Sequence, residues 1–444
     1  MEKKNIDWGS LGFAYMPTDK RFVANYKDGA WDEGTLSDDP MITMSECACV
    51  LQYAQTCFEG IKAYTTEDGR IVTFRPDLNA KRMADSAKRL QMPVFPEDRF
   101  VQAVVDVVKA NAAYVPPYGS GATLYIRPYM FGINPVIGVK PATEYQFRIF
   151  VTPVGPYFKG GAKPITIRVS DVDRAAPHGT GDIKAGLNYA MSLYNIVDAH
   201  NKGFDENMYL DPATRTYVEE TGGANFIFVT KDGKVVTPKS NSILPSVTRR
   251  SLMYVAKEYL GLEVEERKIA KDELKDFAEA GLCGTAAVIS PVGKIVDHDT
   301  EICLPSGMEE MGPITKKLYE TLTGIQMGEI EAPEGWTTET DLENYPGLYL
   351  TNAGAAKNGL KGVFAPCPEK LEQGGHNNLQ MLVRERKDHI AEINAPRTFP
   401  WRVAIVGTDT DLAASDLSFL LAAPSKIDDT SWIKPGKVAW EWWN

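Results

Sequence analysis

The segment GTGDIKAGLNYA, residues 179–190, sets one lysine, Lys184, among glycines and small residues. Two glycines before it and one after allow a sharp bend and a close approach of the backbone to a neighbour. That bend presents an amine. A lysine in a dry, close-packed pocket loses proton affinity, becomes nucleophilic near neutral pH and condenses with an aldehyde. An aldehyde cofactor such as pyridoxal phosphate needs two more things from a chain: a carboxylate for its pyridine nitrogen and an anion site for its phosphate.

Both have candidates. YVEETGGANFIFV puts Glu219 and Glu220 at the end of an expected strand, just before a Gly-Gly turn. Either acid would keep a ring nitrogen protonated; the competing reading is a solvated pair of strand-end acids. ILPSVTRRSL opens an expected helix, so the N–H groups of Val247 and Thr248 form an anion site by geometry and dipole. Arg82, in LNAKRMADSAKRL, follows Leu78 by four residues and adjoins Met83 and Ala87 on a helical wheel. It faces either inward, where a guanidinium needs an anion, or a surface partner. In ATLYIRPYMFG a period of two puts Tyr125 and Arg127 on one strand face, suited to a carboxylate, with Leu124 and Ile126 on the other. GLCGTAAVISP adds a Gly-Thr-Ala turn at 284–286 whose amides either meet an oxyanion or belong to a plain loop.

These residues need elements to hold them. From Met1 to about Pro153, short apolar runs such as RIVTF and QFRIFVTP alternate with helical stretches such as residues 98–113, the pattern of an α/β domain. PVGPYFKGGAKP, dense in Pro and Gly, reads as an interdomain loop. A second α/β region follows, with a KDG turn at 231–233 and a helix at 249–260 that carries Leu252, Val255, Ala256, Tyr259 and Leu260 on one face and stops at Gly261.

Composition narrows the partners. With 444 residues, 43% of them hydrophobic, the chain can bury several cores, and its net charge of -11 with no block of Lys or Arg excludes an electrostatic footprint for nucleic acid or anionic membrane. The six cysteines form no CxxC pair, which predicts reduced thiols, and five histidines give little material for metal or His-relay chemistry. MEKKNIDWGS lacks the apolar core of a signal peptide, and no run of about 18 apolar residues occurs, so a cytoplasmic location is expected.

Taken together, CFEGIKAY, ADSAKRL, YIRP, GDIKAGLNY, EETGGANF, LPSVTRRS and GTAAVISPV resemble the branched-chain amino acid aminotransferases, fold-type IV pyridoxal phosphate enzymes, over residues 1–340. The resemblance implies an α/β (α+β) fold with a small domain at 1–153, an interdomain loop at 154–163 and a large cofactor-binding domain at 164–340. By the same resemblance Lys184 links to the cofactor and shuttles the proton, Glu220 pairs with the pyridine nitrogen and Tyr189 bonds the ring oxygen. Arg82, Val247, Thr248 and Thr285 hold the phosphate. Tyr125 and Arg127, with the Thr285 and Ala286 amides, orient substrate carboxylates, Arg127 serving 2-oxoglutarate above all. Tyr53, Phe58 and Tyr157 shape the side-chain pocket, and Ile137 and Val139 come from a neighbouring subunit, which implies a homodimer. The activity implied is transfer of the amino group of Leu, Ile or Val to 2-oxoglutarate. The alternatives are a D-amino acid aminotransferase, an aminodeoxychorismate lyase, or an inactive domain carrying a carbohydrate-binding module. Two departures stand out: GTAAVISP lacks the redox cysteine pair of mammalian relatives, and Gly223 stands where some relatives have Thr.

After EAPEGWTTET the character changes, and five tryptophans (Trp401, Trp432, Trp440, Trp442, Trp443) fall within the last 44 residues. NYPGLYL, RTFPWRVAIVG and LAAPSKIDDTSWIKPGKVAWEWWN resemble glycoside hydrolase family 97, at the end of its N-terminal β-sandwich. Residues 341–444 are therefore expected to be a partial sandwich without the catalytic barrel, joined by gene fusion, with exposed or re-paired edges and no glycosidase activity.

Overall fold

The computed structural model describes residues 3–155 and 162–340 and the backbone of three strands between residues 389 and 443. It divides into two units, Met1–Thr340 and Asp341–Asn444.

The first unit is built on two sheets. One has nine strands and antiparallel pairing throughout, in the order Thr337–Glu339, Ile71–Phe74, Ile61–Thr65, Thr123–Gly132, Tyr145–Val154, Arg21–Lys27, Ala30–Trp31. Thr35–Ser37 pairs with Arg21–Lys27, and Thr56–Phe58 with Thr123–Gly132. In Thr123–Gly132 the expected alternation holds: Leu124 and Ile126 are fully buried on one face, while Tyr125 and Arg127 lie on the other. Residues 337–339, grouped with the second domain on sequence, pair instead with Ile71–Phe74 and so close the edge of this first sheet.

Three helices accompany that sheet: α1 (Cys49–Tyr53), α2 (Pro76–Arg89) and α3 (Glu97–Ala110). Pro76 opens α2, where its fixed φ and missing N–H cost nothing, and the helix buries Ala80, Met83, Ala84 and Ala87. Phe100, Ala103, Val104, Val107 and Val108 give α3 its apolar stripe at helical spacing.

The second sheet has eight strands and mixed pairing, with Val288–Asp297 between the antiparallel Phe277–Gly284 and the parallel Ile165–Val169. Helices α4 (Gly186–Asn201), α5 (Val247–Tyr254) and α6 (Pro313–Gln326) belong to this half. One core contains Tyr64, Val72 and Phe74 of the first sheet, Ile227 and Ile289 of the second, Leu252 and Val255 around α5, and Leu318 and Leu322 of α6. Burying each of these large apolar side chains stabilises the unit by about 1.5–3 kcal/mol before entropy is charged.

Two local expectations are corrected. The helix after Ser246 relaxes into a π turn at Val255–Tyr259, which leaves Leu252, Val255 and Ala256 buried but turns Tyr259 outward, its hydroxyl donating to the Glu331 carbonyl at 2.7 Å. Gly261 ends it at φ +62°. Glu219 and Glu220 are not at a strand end: Tyr217, Val218 and Glu220 make single bridges, and the strand begins at Asn225. The Gly222-Gly223 turn is tight enough for Glu220 and Asn225 to pair across it, with the Thr221 hydroxyl accepting the Ala224 N–H at 2.9 Å.

In the second unit, His389–Ile393, Arg402–Gly407 and Glu441–Trp443 form a three-stranded antiparallel sheet with Arg402–Gly407 in the middle. Among the described residues no helix is long and apolar enough to cross a membrane.

Candidate active site

A cavity of about 410 Å³ lies between the two sheets. Lys184 reaches it from the bend before α4. Its N–H donates to the Ser86 hydroxyl at 3.0 Å and its carbonyl accepts the Phe58 N–H at 3.1 Å, so both sides of the residue are pinned. Gly181 makes the bend possible, because a Cβ there would collide with the Ser242 carbonyl. The Lys184 amine donates to the Tyr189 hydroxyl at 2.8 Å and sits 4.8 Å from the centre of the Phe58 ring. Phe58 and Tyr189 meet edge to face at 4.9 Å and wall the amine on one side.

Across the cavity is Glu220, which is 3% exposed. Oε1 accepts from Arg174 Nη2 at 2.7 Å and from the Leu244 N–H at 2.8 Å, and Oε2 accepts from Asn225 Nδ2 at 2.5 Å. Burial pushes its carboxyl up to about 7, with the Arg174 charge and the Leu244 N–H opposing. Glu219 is also buried but bonds the Ser240 and Ser242 hydroxyls, and only Glu220 of the two lines the cavity. Neither is a solvated surface acid.

Arg82 faces inward from α2, 8% exposed. Glu59, which is wholly buried, grips its guanidinium through Nε at 2.8 Å and Nη2 at 2.7 Å, and Asn79 Nδ2 holds the same carboxylate at 2.7 Å. The fork is thereby aimed at the start of α5, where Nη1 donates to the Pro245 carbonyl at 3.1 Å. Ser246 caps that helix by accepting the Arg249 N–H at 3.1 Å. The N–H groups before Arg249 have no helical acceptor and are suited to an anion. Val247 lines the cavity; Thr248 is buried beside it without lining it.

Tyr125 and Arg127 enter from the first sheet, Arg127 Nη2 donating to the Tyr125 hydroxyl at 3.0 Å and its guanidinium lying 4.8 Å from the Phe58 ring centre. Thr285 and Ala286 belong to the turn joining Gly284 to Val288, and both line the cavity. Val288 completes that turn at φ +63°, a costly conformation for a β-branched residue. Cys283 also lines the cavity, but burial raises its thiol to about 12, which makes it a poor nucleophile.

The remaining sequence candidates lie elsewhere. Tyr53, Ile137 and Val139 are exposed and do not line the cavity of their own chain, although the Tyr53 hydroxyl bonds the Ile137 carbonyl. Tyr157 falls outside the described residues. Sequence reading also missed Phe13, Glu59, Lys62 and Arg174; a run such as DRAAPHG marks Arg174 with no periodicity that could have exposed it.

Comparison with known proteins gives the family. The family model "Amino-transferase class IV" matches residues 56–295. The branched-chain-amino-acid aminotransferase of Haemophilus influenzae is 51% identical over 343 residues, covering 76% of this chain and 100% of the relative. The chain belongs to the class IV aminotransferases. Among solved structures, the Escherichia coli branched-chain amino acid aminotransferase superposes with a TM-score of 0.62 at 30% identity, covering 73% of this chain and all of that one. The corresponding enzyme of Thermobaculum terrenum, solved in its PLP form, gives 0.63 at 26% identity, covering 73% of this chain and 99% of that one. A second family model, "Glycosyl-hydrolase 97 N-terminal", matches residues 331–424 and so begins within the first unit.

The donors of this class IV aminotransferase fit pyridoxal phosphate. An amine, a buried carboxylate and a helix start beside a guanidinium all open on one cavity. In the same cavity wall the Nε atoms of Arg127 and Arg174 and the Oδ1 of Asn225 are buried without a partner among the described residues.

Proposed function

We propose that this protein is a pyridoxal-phosphate-dependent branched-chain amino acid aminotransferase, moving the amino group of L-leucine, L-isoleucine or L-valine to 2-oxoglutarate. The products are the branched 2-oxo acids and L-glutamate. The observation that carries the reading is the meeting of the Lys184 amine, the buried Glu220 carboxylate and the Arg82 fork in one cavity.

When bound, the cofactor supplies the electron sink for breaking the bond from the substrate α-carbon to hydrogen. Lys184 Nζ takes that proton and returns it, held between turns by the Tyr189 hydroxyl. Glu220, kept in place by Arg174, Leu244 and Asn225, would meet the ring nitrogen. Arg82, the Val247 and Thr248 N–H groups and Thr285 would hold the phosphate. Thr285, Ala286, Tyr125 and Arg127 orient carboxylates, and Phe58 walls the substrate's side chain. Gly223 leaves room here: a Cβ at that position would touch nothing within 4 Å.

Tyr53 and Tyr157 shape the side-chain pocket with Phe58, and Ile137 and Val139 act in the site of a second copy. The exposure of Ile137 and Val139 supports a homodimer, as does the apolar face of α4, where Met191, Leu193, Tyr194 and Val197 are all more than half exposed. The first unit works as a small domain at 1–153 and a large one at 164–340 around the loop at 154–163. Residues 341–444 are a fused segment related to the family 97 N-terminal domain, without glycosidase activity, in a cytoplasmic enzyme.

The test is the visible absorbance of the purified full-length protein with added cofactor, before and after L-leucine, with D-alanine and maltose as controls. A yellow band that shifts with L-leucine alone is expected, and Lys184→Ala should lose the band and turnover while keeping its fold. A band that answers to D-alanine, or a turning-over Lys184→Ala variant, refutes the assignment.

A further inference from the structure

Lys62 lies on strand Ile61–Thr65 directly opposite Tyr125, so the two side chains share the sheet face that carries Arg127 two residues further on. It is 8% exposed. Its amine donates to the Ala286 carbonyl at 2.7 Å, bridging from the first sheet to the cavity-lining turn of the second. No carboxylate among the described residues is within ion-pair reach of Lys62 or of Arg127, whose Nε is also buried without a partner. Burial alone holds the Lys62 amine down to about 8. A buried Lys62 amine and a half-buried Arg127 guanidinium on one face, with no anion among the described residues to meet them, are costly to keep. A face of this kind fits a ligand that brings the negative charge, and the bond to the Ala286 carbonyl fixes the plane of the peptide between Ala286 and Ala287.

We propose that Lys62 is a positioning residue for the substrate's α-carboxylate: it tethers the Thr285–Ala286 turn from behind and supplies the positive charge which that carboxylate neutralises. This rests on the reading that the turn receives the α-carboxylate. Arg127, on the far side of Tyr125, is then left for the second carboxylate of the dicarboxylic substrate. Every substrate needs Lys62, and only the dicarboxylic one needs Arg127.

The experiment uses the full-length, cofactor-loaded protein and two halves of leucine: 4-methylpentanoate, which has no amino group, and 3-methylbutylamine, which has no carboxylate. Binding of each is read from the visible band. In Lys62→Met the dissociation constant of the acid should rise about tenfold or more, as for losing a charge-assisted contact, while that of the amine stays within about twofold. Lys62→Gln, which keeps a donor for the Ala286 carbonyl without the charge, should lose less than Lys62→Met. KM should rise for L-leucine and L-glutamate alike with kcat less affected, and the thermal midpoint of Lys62→Met should be at or above that of the wild type, because an unpaired buried charge has gone. Parallel weakening of acid and amine, or no change in either, overturns the proposal. A wild-type band that answers to neither compound refutes the aminotransferase reading itself, and Lys62's role with it, an outcome distinct from a defect confined to the variants.

Discussion

Replacing Arg174 with Gln removes the guanidinium 2.7 Å from Glu220 and leaves a carboxyl that is 3% exposed. At an effective dielectric constant of about 20, two unit charges about 4 Å apart attract by about 4 kcal/mol, and removing one partner of a buried pair typically costs about 3–5 kcal/mol. The cost depends on pH with a definite sign. Glu220's folded value of about 7 lies above its ordinary 4.5, so the folded cofactor-free protein holds this proton longer than the unfolded chain, and stability falls as pH rises through that interval. Loss of Arg174, the strongest opposing influence, pushes the carboxyl higher and carries the decline past pH 7. Urea unfolding of cofactor-free wild type and variant should therefore differ little near about pH 5 and by up to about 2 kcal/mol near about pH 8.5, the limit set by about 1.4 kcal/mol per pH unit above the wild-type value. The neutral carboxyl of the variant is also a poorer partner for a ring nitrogen, so cofactor affinity should fall over the same upper range. A stability difference of the same size at both pH values would refute the electrostatic argument and reduce Arg174 to a tether for the Gly181 and Ser242 carbonyls, to which it donates at 2.8 and 2.5 Å.

Arg127→Ala should lower kcat/KM for 2-oxoglutarate about tenfold more than for L-leucine, since it removes a charged contact made to one of the two substrates; equal losses would dissociate Arg127 from selectivity. Gly60→Ala should raise KM for both substrates, because the new Cβ would run into the Tyr125 hydroxyl; unchanged kinetics would mean that Tyr125 yields without consequence. Deletion of residues 342–444 should leave cofactor absorbance, dimer mass and transamination intact, as measured by spectroscopy, light scattering and a coupled assay, and loss of any of them would give the second unit a role in the first.

Much of the site was legible because it is locally encoded. Glycines around Lys184, a period of two at Tyr125 and Arg127, and a helix start at Val247 and Thr248 each describe a few neighbouring residues, and the backbone follows such signals closely. The face of α2 that buries Arg82 was open in the sequence between an inward anion site and a surface pair, and only the Glu59 carboxylate, which reaches it from another element, decides for the first. Gly222 and Gly223 signal a turn, but not that it would draw Glu220 into a bridge with Asn225 and break the expected strand.

What the sequence alone determined is therefore the family's set of chemical groups and the faces that carry them, since side-chain type and backbone period are properties of short segments. What only tertiary structure decided is which groups meet. Glu219 and Glu220 are neighbours with the same chemistry, yet one turns to two serines and the other to Arg174 and the cavity. Lys62 and Ala286 stand 224 residues apart and touch across two sheets. The charge state and direction of a buried group depend on what is packed against it, and that is fixed by the closing of the two sheets on one another, which no window of sequence contains.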